Sequence, residues 1–373
     1  MAKAALKKSN ESASKLYVAF ELSEKNWKLA FSDGVRTTEV GVHARDLTRV
    51  MEVIGSARRR FGAERVVSCY EAGRDGFWLH RALTDRKIEN SVLDASSIEV
   101  DRRARRAKTD RLDARKLVAL LIRADHGDTT VRRVNVPTPE VEDARRLSRE
   151  LQRLKNERTA HTNRLRSLLA LIGRTVKRAK DTRALLEPTS RGRDGRPIGP
   201  VLRGEMQREL ARIDLIDAQI LELKHAQQAL LKTDTACAAV ATRLTRLNGI
   251  GETSAAVLSY EFFGWRNLAN RRQVGAAAGL VPTPYNSGND EREQGISKAG
   301  NTRVRWVTIQ LAWMWLRLQP ASRLSRWFRE RFGGGSPRLR RIGIVALARR
   351  LLVDLWRYLK FGVIPEGAIM KEA

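Results

Sequence analysis

A chain of 373 residues, 42% of them hydrophobic, holds enough apolar material for two or three packed domains, which excludes a disordered basic tail. Its 71 Lys and Arg against 42 Asp and Glu leave a formal net charge of +29, and a basic excess spread along the whole length implies a polyanionic partner, most simply nucleic acid. Two cysteines (Cys69, Cys237) and five scattered histidines make neither a disulfide framework nor a zinc spacing, and no run is apolar enough to span a bilayer, so a reducing cytoplasm without a membrane partner is expected.

Residues 1–14 are polar and basic and are expected to fray. From Lys15 the pattern is β: Leu16–Phe20, Trp27–Phe31 and Thr37–Val42, joined by short turns, predict an antiparallel meander. A helical stretch follows over Ala44–Phe61, then strand Arg65–Tyr70, helix Gly76–Asp85 and strand Glu89–Leu93. The order βββαβαβ followed by a helix predicts an RNase H-like (RuvC-like) α/β domain over residues 15–136.

Carboxylates close two of these strands and open the helix that follows. Glu21 ends the first strand and Glu71 ends the run Val67-Ser-Cys-Tyr. Asp110 and Asp113, spaced i and i+3, share one face at the head of the helical pattern Ala114, Leu117, Val118, Leu121. Acids gathered at one point repel unless a cation holds them, and hard oxygen ligands suit Mg2+ (or Mn2+), so in so basic a chain the cluster reads as a metal site for phosphodiester chemistry. Glu24, three residues beyond Glu21, is a reserve ligand. Arg102, Arg103, Arg105, Arg106 and Lys108 stand just ahead of Asp110, placed to grip a nucleic-acid backbone.

After Pro137-Thr-Pro139 the period changes. Leu147, Leu151, Leu154, Arg158, His161, Leu165, Leu168 and Ile172 form one heptad seam, and Ile213, Ile216, Ile220, Leu223, Gln227 and Leu230 a second. These predict a helical, antiparallel coiled-coil hairpin over 137–238 that can also pair between protomers, with the polar seam positions setting register.

The remainder, 239–373, reads as a mainly all-α domain. Asn248-Gly-Ile-Gly251 ahead of a helix suggests a helix-hairpin-helix-like phosphate grip. Pro284-Tyr-Asn-Ser-Gly-Asn289 reads as a polar loop exposing Ser287. Ser297, Lys298 and Arg303 resemble a helix cap with a phosphate grip, the tryptophans that follow read mostly as core, and Gly333–Gly335 reads as a hinge before a last basic helix.

The acid-ended first strand, Tyr70-Glu71-Ala72 and Lys108-Thr-Asp-Arg-Leu-Asp113 resemble the RuvC-like half of DEDD-type insertion-sequence transposases. Leu247–Gly251, Ala278–Pro282, Asn286-Ser-Gly288, Gly295–Asn301 and Ile344–Arg350 resemble their second domain. The resemblance is to the insertion-sequence family numbered one hundred and ten, and it covers nearly the whole chain after residue 14. It implies a bridge-RNA-guided recombinase of the bacterial cytoplasm and nucleoid, acting on donor and target DNA as a homo-oligomer (dimer or tetramer). In the family four acids bind magnesium and a serine attacks the DNA phosphate, which implies Glu21, Glu71, Asp110 and Asp113 as metal ligands and Ser287 as nucleophile, with Ser297 the competing serine. One departure stands out: the family has Asp at the first acidic position, where this chain has Glu21. A metal-dependent junction nuclease using water, or a catalytically weakened nucleic-acid-binding homologue, are the competing readings.

Overall fold

The computed structural model describes residues 14–94, 110–287 and 290–371. Packing divides the chain into two units, Met1–Val136 and Pro137–Ala373. The basic cluster Arg102, Arg103, Arg105, Arg106 and Lys108 lies outside the described residues, as do residues 1–13 of the expected tail. Ser14 does not fray: its carbonyl accepts hydrogen bonds from the backbone N–H groups of Glu64 and Arg65, which tie the start of the first strand in place.

The first unit is built on a five-stranded sheet. In chain order the strands are β1 (Lys15–Glu21), β2 (Asn26–Ser32), β3 (Thr37–His43), β4 (Arg65–Glu71) and β5 (Glu89–Leu93), arranged β3-β2-β1-β4-β5. The first three form the expected antiparallel meander, and β4 and β5 add parallel to β1. Helices α1 (Leu47–Phe61) and α2 (Trp78–Asp85) return the chain between parallel strands. The Asp46 carboxylate caps α1 by accepting from the Arg49 N–H at 2.9 Å, and Gly62 ends it in the left-handed conformation at φ 60°, where a Cβ would be strained.

Alternation along the strands splits the core. Leu16, Val18, Phe20 and Tyr70 face one side, with Val50, Ile54, Leu79 and Leu83 of α1 and α2. Tyr17, Ala19, Val67 and Cys69 face the other, against Ala114, Leu117, Val118 and Leu121 of α3 (Asp110–Asp125).

In the second unit, α4 (Pro139–Leu171) and α5 (Pro200–Leu231) form the expected antiparallel pair. Leu151 and Leu154 pack on Ile216 and Ile220, and Leu165, Leu168 and Leu169 on Met206, Leu210 and Ile213. The two polar positions of the first seam are partnered across the pair: Arg158 bonds Asp217, and His161 Nδ1 lies 2.7 Å from Glu209.

The rest folds as α6 (Ala236–Thr245), α7 (Glu252–Leu258) running into one π-helical turn (Ser259–Phe263), α8 (Arg271–Ala277), a two-stranded ribbon of β6 (Pro282–Ser287) and β7 (Asp290–Ile296), then α9 (Thr302–Leu318), α10 (Arg323–Phe332) and α11 (Pro337–Phe361). Of the glycines before α11, Gly333 would bring a Cβ against the Arg329 carbonyl and Gly335 one to 2.7 Å from the Leu339 side chain, while Gly334 has open space.

Candidate active site

Two features of the first unit bring the acids toward one point. In the parallel pairing Phe20 lies opposite Tyr70, so Glu21 and Glu71, one step on, end neighbouring strands and project to the same side of the sheet. That side carries α3. The direction of α3 is fixed at its far end, where Lys15 Nζ and Tyr17 Oη both donate to Asp125 Oδ2 at 2.8 Å. Lys15 starts β1 and Asp125 ends α3, so the helix runs back along the strand. The lengths agree: Asp113 to Asp125 spans about 18 Å of helix, and Lys15 to Glu21 about 20 Å of strand. The head of α3, with Asp113, therefore lies at the end of the sheet where Glu21 and Glu71 stand.

The anchor is itself electrostatic. Burial and the Asp125 hydrogen bond push the Tyr17 phenol up to about 12. Burial opposes ionisation of Asp125, but the hydrogen bonds from Lys15 and Tyr17 outweigh it and hold the carboxyl below its ordinary value.

Glu21 and Glu71 line a cleft of about 320 Å³ with Glu24, Arg74 and Asp75. Arg74 lies 3.9 Å from Glu24 and 3.8 Å from Asp75, and Arg45 lies 3.7 Å from Asp75. Asp75, nearly buried, went unread in the sequence because Gly73-Arg-Asp75-Gly looks like an ordinary turn. An adjoining cleft of about 530 Å³ shares Ser23 and is ringed by Lys25, Lys28, His43 and Arg49. Lys25, Lys28 and Arg49, too dispersed along the chain to stand out as a motif, gather beside the acids. Asp113 has Lys116 at 3.9 Å. The side chain of Asp110 lies outside the described residues, and among the described residues no three acidic, His or Cys side chains are close enough together to hold a metal ion by themselves. The donor set, carboxylate oxygens on one end of a sheet, nevertheless has the hardness that Mg2+ or Mn2+ requires.

Ser287 belongs to the second unit. The segment around it is a strand and not an irregular loop: Tyr285 pairs with Arg292, Asn286 with Glu291 and Ser287 with Asp290. Thr283 and Tyr285 favour extended backbone, and the partner Asp290-Glu-Arg-Glu supplies a strand edge that the sequence reading overlooked. The side chain of Ser287 and the residues Gly288 and Asn289 lie outside what is described. Ser297 lies at the opposite, open end of the ribbon, its N–H bonded to the Val281 carbonyl, roughly 20 Å of strand from Ser287. Ser297 does not cap α9; Asn301 does, its Oδ1 accepting from the N–H groups of Arg303 and Val304 at 3.0 and 3.1 Å. Lys298 and Arg303 are exposed on either side of that cap.

The foot of the ribbon is locked. A Cβ at Gly300 would stand 2.6 Å from the Ala277 carbonyl and one at Gly279, whose φ is +66°, 2.8 Å from the Ala299 carbonyl, so both motif glycines are required by close approach. Asn301 Nδ2 also donates to Glu261 Oε2 at 3.1 Å. Glu261, wholly buried, takes Arg145 and Arg149 from α4 at 2.9 and 2.7 Å. Burial alone would raise its pKa, but the Arg149 hydrogen bond and the charge of Arg145 outweigh it and hold the carboxyl at about 2.

Comparison with known proteins decides the family. Residues 241–326 match the family described as "Transposase IS116/IS110/IS902 family", and residues 43–173 match a transposase model of the DEDD type. A Sinorhizobium fredii protein with a transposase name, y4rJ, is 42% identical over 95% of this chain and 94% of its own length. The chain belongs to this transposase family. Further relatives are a Pseudomonas aeruginosa protein named as a family 20 transposase, 31% identical over 68% of this chain and 73% of its own, and the Yersinia enterocolitica transposase for insertion sequence element IS1328, 29% identical over 51% and 56%. The matched ranges of the transposase family include Glu71, Asp110, Asp113 and Ser287, while Glu21 precedes them. A transposase of this kind cuts and rejoins DNA. Among the described residues no helix is long and apolar enough to cross a membrane.

Proposed function

We propose that this transposase cuts and rejoins DNA through a covalent phosphoserine link, with Glu21, Glu71, Asp110 and Asp113 as the ligands of Mg2+ or Mn2+ and Ser287 as the nucleophile. The observation that carries the reading is the meeting of Glu21, Glu71 and the head of α3 at one end of one sheet face. A divalent ion bound there would polarise the phosphate and stabilise the oxygen that leaves. Ser287 Oγ forms a bond to phosphorus as the bond to the departing strand breaks. Reversal with a new strand end rejoins the DNA without ATP, because the phosphoester is conserved. The cations around the adjoining cleft, Lys25, Lys28 and Arg49, hold the backbone by charge. Lys298 and Arg303 do the same in the second unit. Serine and acids reside in different units of the chain, so domain closure or a neighbouring protomer has to bring them together; the family resemblance favours the second, an assembly (dimer or tetramer) on donor and target DNA at the nucleoid, guided by a structured bridge RNA.

The test is to trap the reaction on a suicide DNA substrate with Mg2+, digest the protein and find the modified peptide by mass spectrometry. A nucleotide adduct on the Ser287 peptide, absent in Ser287→Ala and in EDTA, is the expected result. An adduct on the Ser297 peptide, or none from an enzyme that exchanges strands, would overturn the assignment. Sequencing RNA that co-purifies with the protein tests the guide.

A further inference from the structure

Six of the eight tryptophans have a place in the packing. Trp27 lies against Trp78, Trp327 against Phe332 and under Arg350, and Trp356 against Phe361. Trp265 and Trp315 donate their indole N–H groups to the Tyr260 carbonyl and to Ser322. The remaining two, Trp306 and Trp313, are 49% and 44% exposed, although the surrounding helix is apolar enough to have hidden them. Both lie on α9, whose buried face is made by Val304, Val307, Leu311, Ala312 and Trp315.

Beyond its first residue, Thr302, the exposed positions of α9 fall on one stripe: Arg303, Trp306, Gln310, Trp313 and Arg317 recur every three or four residues. The two indoles are about 10 Å apart along the axis and the two arginines about 21 Å. No acidic residue occurs anywhere in α9. Aromatic faces alone would suit any apolar partner. A row with a cation at each end, a polar amide in the middle and no anion suits a polyanion that also presents flat rings.

We propose that this face of α9 binds single-stranded DNA, with unpaired bases stacking on Trp306 and Trp313 and phosphates meeting Arg303 and Arg317. A duplex cannot use the stripe in this way because its base faces are already stacked; a strand can only do so once it is unpaired. Cutting and rejoining by a transposase creates such strands, and a platform that holds them keeps the ends from diffusing before rejoining. The site goes beyond the acid cluster and the serine and does not depend on which serine attacks.

The experiment measures fluorescence anisotropy of labelled oligonucleotides with the full-length protein: a dT12 strand, an abasic strand of equal length, a duplex of equal length and a U12 strand. Trp306→Ala/Trp313→Ala is expected to weaken dT12 binding by about 25-fold or more, since each of the two stacked bases contributes about fivefold or more. Its duplex affinity should stay within about twofold. Trp306→Phe/Trp313→Phe keeps a ring at each position and should recover most of the loss, which excludes misfolding as its cause. The abasic strand should bind wild type and the alanine variant alike. Unchanged dT12 affinity in the alanine variant overturns the proposal, as does an equal loss on the abasic strand. So does a tryptophan-dependent affinity confined to U12, which would assign the face to RNA. A shift in molecular mass by light scattering with dT12 affinity intact would mean that the stripe is covered by a second copy of the chain.

Discussion

Glu261 is a carboxylate with no exposed surface that stays ionised because two arginines and an asparagine surround it. Its pKa falls from an ordinary 4.5 to about 2 in the folded protein. A depressed acid contributes stability that is fully present above pH 4.5 and is lost as pH falls toward 2. Glu261→Gln should therefore flatten the acid limb of the stability curve between those values, removing on the order of 3 kcal/mol at neutral pH. Urea melts at pH 7 and pH 3 check this; equal losses at both would refute it. Glu261→Ala is expected to be worse, about 3–5 kcal/mol, because it strands the nearly buried Arg145. At the acid cleft, Glu21→Asp shortens the arm by one methylene toward the family's usual residue and should keep strand exchange, whereas Glu21→Ala should abolish it while DNA binding persists. Equal activity in Glu21→Ala and wild type would remove Glu21 from the site. The three glutamates differ in how legible they were. Glu21 and Glu71 announce themselves because an apolar strand stops on a charge. Glu261 sits between Tyr260 and Phe262 as any helix glutamate does, and only tertiary packing brings Arg145 and Arg149 to it from far along the chain.

Among the elements, the α4–α5 pair was readable because its period is long and regular, and every apolar position of the quoted seams is buried or half-buried in it. The consequence for assembly is a constraint. Leu151 and Ile220, 2% and 8% exposed, are consumed inside one chain's hairpin, so truncating them is a stability experiment and not a test of self-association. Leu151→Ala should cost about 2–5 kcal/mol by chemical denaturation. Arg158→Ala, which removes an ion pair with both partners nearly half exposed, should cost about 1 kcal/mol or less. A larger loss at Arg158 than at Leu151 would mean that charge pairing and not packing holds the pair together. The short ribbon β6–β7 was hidden by the opposite circumstance. Its prolines, Asn286 and Ser287 favour turns one by one, and pairing partners outvote that local preference only in three dimensions. The tryptophans of α9 failed for a third reason. Hydrophobicity says that a helix is buried but not which side, and Trp306 and Trp313 lie a heptad apart on the side that the core does not claim.

At the scale of the whole molecule, the proposed metal ligands are a few carboxylates in a chain of net charge +29. Binding and chemistry should therefore separate cleanly. Each phosphate neutralised by Lys or Arg releases condensed counterions, so affinity for duplex DNA should fall by about 10³–10⁵ between roughly 50 and 200 mM salt if about 6–10 phosphates are held. The acids act against that attraction wherever no cation masks them. Glu71→Ala and Asp113→Ala should then bind DNA as well as wild type or slightly better, with the same salt slope, while strand exchange is lost. Binding isotherms across a salt series, run beside a strand-transfer assay with Mg2+, read both quantities on the same protein. A flat salt response would contradict an electrostatic footprint of that size. A joint loss of binding and exchange in Glu71→Ala would mean that this carboxylate holds the fold of the sheet end together and does not serve the reaction.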